Sequence, residues 1–231
     1  MLSTIAIIPS APVLVPELAG AAADEVAELR AAMVAAVAAL PPRWVVVGVG
    51  SNDTADVIVG PESVGTFAGF GADLAVRLSP QATGQLAELP LCALIAGWMR
   101  DQAQLDARAE VRVYAANHDA DTALALGRQL RHEIDDAAES TGVLVVADGA
   151  NTLNPAAPGG HHPADVEVQW ALDEALACGD AAALSQLPGQ VVGRVAFGVL
   201  AGLTEPAPRS AKELHRAAPY GVGYFAGVWQ P

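Results

Sequence analysis

The chain has 231 residues with 52% hydrophobic and 5% aromatic residues, enough for a sizeable core packed by small aliphatic side chains and too apolar for a disordered chain. It carries 12 Lys and Arg against 26 Asp and Glu, a formal net charge of −14. With no basic cluster to replace phosphate counterions, nucleic-acid binding is excluded as a function.

The first element predicted is a short buried strand over Thr4–Ile8. It runs into Pro9-Ser10-Ala11-Pro12 and then Val13–Glu17. A strand that ends in a Pro-stiffened loop is where α/β proteins place ligand-binding groups, and here that loop offers Ser10. No Lys or Arg precedes residue 30, and Pro9, Pro12 and Pro16 interrupt the apolar start, a poor match to a signal peptide. Val26, Leu29, Met33, Val37 and Leu40 recur at three- and four-residue spacing and predict a helix over Asp24–Ala39, stopped by Pro41-Pro42. Arg43–Val49 reads as a strand without polar alternation, so it is expected to be buried on both faces. It leads into Gly50-Ser51-Asn52-Asp53. The Gly48-Val49-Gly50 run lacks the third glycine and the helix start of a dinucleotide loop.

Gly60–Gly71 reads as a Gly-rich loop, Leu74–Leu78 as a short strand, Leu89–Gln102 as a helix and Glu110–Ala115 as a strand. Asn117 and His118 follow that strand, and His118 is open to two roles, a pocket residue or part of the next helix's cap. A long helix is predicted over Asp119–Ala138, with Asp119 and Asp121 favourable at its N-terminus. Val143–Ala147 is a further continuous apolar strand. Asp148 ends it directly, an unusual place for a charge, either to cap the loop through backbone amides or to face a pocket. Asp148–Pro163 reads as a long loop carrying Asn151 and the pair His161-His162. Adjacent histidines can reach one metal, with Asp148 or Asp165 supplying oxygen. Equally, Pro163-Ala164-Asp165 is the signature of a helix start. Helices are predicted at Ala164–Ala177, Asp180–Leu187 and Val191–Leu200, and Glu213–Trp229 reads as a hairpin that returns to the sheet. Cys92 and Cys178 have no CxxC partner and read as buried free thiols, which suit a reducing cytoplasm. No run reaches the ~18 apolar residues of a membrane span.

The alternation predicts one α/β domain over residues 1–231, a three-layer sandwich with a mixed, largely parallel central sheet and a C-terminal β-hairpin. Ligands in such a sheet bind outside the carboxyl ends of the strands. The pocket candidates are therefore Ser10, Asn52, Asp53, His118, Asp148 and Asn151.

Four stretches then match a known pattern: IPSAPVLVPEL at 8–18, ADGANTLNPAAPGGHHP at 147–163, ALACGDAAAL at 175–184 and APYGVGYFAGVW at 218–229. In this order they resemble the class III extradiol dioxygenase family, in the branch of the catalytic subunit of protocatechuate 4,5-dioxygenase and the Memo-like proteins. The resemblance implies a mixed-sheet α/β sandwich and a non-haem Fe(II) held by two His and a carboxylate. It places the two iron histidines on Ser10 and Gly50 and the family's acid–base histidine near Asn151-Thr152-Leu153. Only Glu205 and Glu213 lie near the third ligand's place. A hydroxyl and a glycine cannot stand in for two imidazoles. The expected function is a divergent, iron-free member with no cofactor, keeping a pocket for a small-molecule ligand or a partner. The alternative is a metal-dependent oxygenase or hydrolase with Fe(II) or Zn(II) at a relocated site of His118, His161, His162 and Asp148. A third reading is an interaction protein, a homodimer joined through an apolar surface.

Overall fold

The computed structural model describes residues 1–51 and 55–231. Asn52 and Asp53, two of the pocket candidates, lie outside the described residues. The elements in chain order are β1 (Leu2–Ile8), α1 (Pro16–Ala19), α2 (Ala27–Val37), β2 (Arg43–Val49), β3 (Val57–Val59), β4 (Val64–Thr66), β5 (Ala75–Arg77), β6 (Leu86–Ala87) and α3 (Leu91–Ala103). Then follow β7 (Arg108–Tyr114), α4 (Ala120–Asp136), β8 (Thr141–Val146), α5 (Asp165–Cys178), α6 (Ala181–Leu184), α7 (Arg194–Thr204), β9 (Ser210–Ala217) and β10 (Tyr224–Gln230).

The main sheet has seven strands in the order β3-β7-β2-β8-β1-β10-β9. Its centre is parallel: β7 with β2, β2 with β8, and β8 with β1. Its edges are antiparallel, with β3 on β7 at one side and the β9–β10 hairpin on β1 at the other. This is the mixed, largely parallel sheet with a C-terminal hairpin that the sequence predicts. The uninterrupted apolar runs follow from burial on both faces. In β1, Ile5 and Ile7 point into one core layer while Ala6 and Ile8 point into the other; β2 and β8 divide in the same way. The layer of Ala6 and Ile8 is closed by α2 and α3 through Leu29, Met33, Leu94 and Ile95. The opposite layer is closed by α4, α5, α6 and α7 through Leu130, Leu172, Leu184 and Leu200. Helices on both faces make three layers.

Several expectations need correction. The segment expected as a Gly-rich loop contains β4 and a 3-10 turn at Ala68–Phe70, and β4 is the middle of a second sheet ordered β5-β4-β6. A strand of three residues is too short to show a period. Gly65 is there because a Cβ would lie 2.6 Å from Leu94 and 2.8 Å from Leu89 side-chain carbons. The helix expected from Val191 starts at Arg194, because Val191 forms a β-bridge with Ala150. Cys92 is buried, its thiol pushed up to about 12 by desolvation, whereas Cys178 is exposed, because the last residue of α5 no longer faces the core. Among the described residues no helix is long and apolar enough to cross a membrane.

Candidate functional site at the strand ends

Parallel register brings the ends of the central strands to one edge. Ile8 and Gly48 both pair with Val146, and Val49 pairs with Tyr114. On the antiparallel side, Ile5, Ala6 and Ile7 pair with Trp229, Val228 and Gly227. Each step forward on β1 is a step back on β10, so the carboxyl end of β1 runs toward the end of β10 where Tyr224 stands.

Ser10 and Asp148 meet at this edge although 138 residues separate them: the Ser10 backbone N–H donates to Asp148 Oδ1 at 2.7 Å. A 3-10 turn at Pro12–Leu14 directly after Ser10 folds the chain back over the sheet end. Asp148 retains some solvent contact as a residue, yet the protein packed around its carboxyl withdraws it from water. Desolvation pushes the carboxyl from its ordinary 3.8 to about 7, and the Ser10 amide opposes that shift only in part. Tyr224, buried on β10, is held above its ordinary value, first by desolvation and then by the charges of Asp148 and Tyr220. Near neutral pH the Asp148 carboxyl therefore exists in both forms, able to donate or accept a proton or hydrogen bond.

The loop after β8 is fixed by a short relay of hydrogen bonds. Gly149 N–H donates to Gly223 O and Gly223 N–H to Ala150 O, both at 2.8 Å. Ala150 N–H donates to Gln169 Oε1 at 2.8 Å, and Gln169 Nε2 donates to Asp173 Oδ1 at 2.7 Å. A Cβ at either Gly149 or Gly223 would lie 2.1 Å from the Gln169 side chain, so both glycines clear the space that this buried amide fills. Further along, buried Thr152 Oγ1 donates to Asp165 Oδ2 at 2.6 Å, and His162 N–H donates to Thr152 O at 3.0 Å. Asn151 packs on Gly159, whose N–H donates to Asn151 O at 2.9 Å. Replacing Gln169 by leucine keeps the bulk but strands the Ala150 amide and the Asp173 carboxyl. The expected loss is ~2 kcal/mol in urea unfolding; an unchanged unfolding midpoint would show that the relay does not hold the loop.

His118 lies past the end of β7. Asp119, not His118, caps α4, accepting from Thr122 N–H at 2.8 Å. The His118 ring instead sets Nε2 2.8 and 3.0 Å from the two Asp56 carboxylate oxygens, and Asp56 Oδ1 also accepts from Ala115 N–H at 2.8 Å. The start of α7 joins this corner to Asp148. Arg194 donates to His118 O and Ala116 O, both at 2.8 Å, while Gly193 N–H donates to Asp148 O, also at 2.8 Å.

The other candidates do not join. His161 and His162 are exposed, and the His162 carbonyl accepts from Asp165 N–H at the start of α5, the helix-start role. Glu205 sits at the far end of α7, gripped by Arg128 through contacts of 2.6 and 2.7 Å. Glu213 lies within β9, 3.3 Å from Arg216. Among the described residues no three His, Cys, Asp or Glu side chains converge as a metal-binding group. Gly50 contributes only its backbone, donating to Tyr114 O at 2.8 Å. The positions to which the resemblance assigns the iron histidines thus offer a hydroxyl and no side chain at all, a donor set that does not fit a ferrous ion needing two imidazoles. Sequence reasoning missed Tyr224, Gln169, Arg194 and Asp56. One of them leaves a signal: Arg194 is the only Lys or Arg between Arg131 and Arg209.

No family model and no curated protein matches the chain. Among solved structures, it is similar to the crystal structure of the uncharacterized Escherichia coli K12 protein JW3007, with a TM-score of 0.57 and 12% sequence identity over 99% of this chain and 100% of that one. At that identity the likeness carries the fold alone.

Proposed function

We propose that the chain is a divergent extradiol dioxygenase-like protein that has lost the Fe(II) site and ring-cleaving activity and binds a small polar ligand at the carboxyl ends of its central strands. The contact between the Ser10 amide and the Asp148 carboxylate carries this reading. At the place where the resemblance calls for a metal-binding imidazole, the chain has a loop amide held by a carboxyl. Burial pushes that carboxyl up to about 7, and it sits close enough to Tyr224 to help hold the phenol above its ordinary value. Asp148 would hold a ligand group by donating or accepting a hydrogen bond, and the rigid loop behind it would keep that geometry in place before binding.

The reading is tested by metal content and oxygen uptake. Protein purified without oxygen should contain far less than one iron per chain, and that content should not change on Ser10→Ala. Protocatechuate with added Fe(II) should consume oxygen no faster than a heat-killed control. About one iron per chain, lost on Ser10→Ala, or ring cleavage above the control, would overturn it.

A further inference from the structure

The helix that braces the strand-end loop through Gln169 also turns an apolar side to solvent. The exposed side of α5 carries Val166 at 48% and Trp170 at 61% exposure, whereas Trp44, Trp98 and Trp229 are 1%, 4% and 0% exposed. Beside them a groove of about 360 Å³ runs between α5 and the α6 segment, walled by Val168, Ala171, Ala175, Ala183 and Leu187, with Glu167 among its lining residues. At about 100° per residue, Trp170 and Val166 stand roughly 60° and 100° round the helix from Glu167, on the side away from the groove, so Glu167 lies between the groove and this exposed apolar edge. An exposed tryptophan beside an apolar groove leaves apolar surface in water that a partner could cover.

Charge decides what fits. Between Arg131 and Arg194 the chain has no Lys or Arg and ten Asp or Glu, five of them within 165–180; Asp165, Asp173 and Asp180 accept from Thr152, Gln169 and Ala183 and Glu174 meets Arg216, so Glu167 is the carboxylate left facing the groove. The cation that reaches α5 from outside, Arg216 of β9, is engaged by Glu174 at 2.6 Å and Glu213 at 3.3 Å. A second copy would bring the same acidic face and a net charge of −14 to the contact, and an anionic membrane is repelled for the same reason. We infer that the α5–α6 groove docks a basic amphipathic segment of another protein, its aliphatic side chains entering the groove and its Lys or Arg pairing with Glu167.

The exposed Trp170 reports on its own site. The probe is a synthetic amphipathic peptide of Leu and Lys at helical spacing, without Trp, titrated into the full chain while tryptophan emission is recorded. Saturable binding with a blue shift is expected, absent when every Lys of the peptide is replaced by Glu. Ala171 and Ala183 are exposed, so Ala171→Lys/Ala183→Lys should fold, as circular dichroism will show, and weaken the peptide at least ~10-fold. Independently, Glu167→Gln should weaken binding and flatten its salt dependence. Overturning results are no shift with the basic peptide, equal affinity in the double variant and in Glu167→Gln, a blue shift that grows with protein concentration alone because a second copy covers the face, or the same shift with neutral phosphatidylcholine vesicles.

Discussion

Gly127→Ala is expected to destabilise the chain by about 2 kcal/mol, although alanine is the better helix former. α4 and α7 cross in backbone contact. A Cβ at Gly127 would lie 2.2 Å from Val199 O and 2.9 Å from Gly202 Cα, and a Cβ at Gly202 would lie 2.2 Å from Leu124 O and 3.0 Å from Gly127 Cα. These neighbours are main chain, which cannot swing aside as a side-chain tip can, so the helices must separate. Overpacking of this kind costs ~1–3 kcal/mol or more, while alanine returns only ~1 kcal/mol of helix propensity. Gly202→Ala should behave alike. Gly189→Ala serves as the control, because nothing lies within 4 Å of a Cβ there. Urea unfolding decides the matter: a Gly127→Ala midpoint at or above that of the parent would show that the two helices yield without cost. The effect should reach the strand-end site, since Gly193 and Arg194 at the start of α7 hold the Asp148 and His118 loops.

Asp148→Asn should make the chain more stable above pH 8 by ~2 kcal/mol, and this advantage should vanish below about pH 4. The folded chain holds the Asp148 proton more tightly than the unfolded one, because the carboxyl moves from 3.8 to about 7. A group shifted this way leaves stability intact below its unfolded pKa and erodes it as pH rises to the folded value. Moving a carboxyl that far carries about 1.36 kcal/mol for each tenfold change in proton affinity; Asp148 keeps some solvent contact, which reduces the full figure. The asparagine carbonyl can still accept from Ser10 N–H but carries no charge to bury. Asp173 is also raised, to about 6, mainly by desolvation, and Asp101 is raised by desolvation too, so the parent's own pH dependence does not come from Asp148 alone. The difference between parent and variant isolates Asp148. Melting curves from pH 4 to pH 8.5 provide the measurement, and a difference that does not change with pH would defeat the argument. If Asp148 is the ligand's partner, the stabilised variant should bind that ligand less well, as expected where a strained group is kept for function.

The sequence by itself determined the layered core. Continuous apolar runs at Thr4–Ile8, Arg43–Val49 and Val143–Ala147 can only be buried on both faces, and the three- and four-residue spacing of Leu29, Met33 and Val37 can only line one side of a helix. The cap at Asp119, the returning hairpin and the strand-end position of Ser10 and Asp148 are legible for the same reason, because each is written in neighbouring residues. The tertiary structure alone decided which distant residues meet. Strand order places Ser10 on Asp148 and Tyr224 near them, Asp56 meets His118 from 62 residues away, and helix packing threads Gln169 between Gly149 and Gly223. Local periodicity says which face a side chain takes. It does not say which strand becomes its neighbour, so Cys178, Trp170 and the backbone crossing at Gly127 and Gly202 acquire their meaning only once the layers have closed.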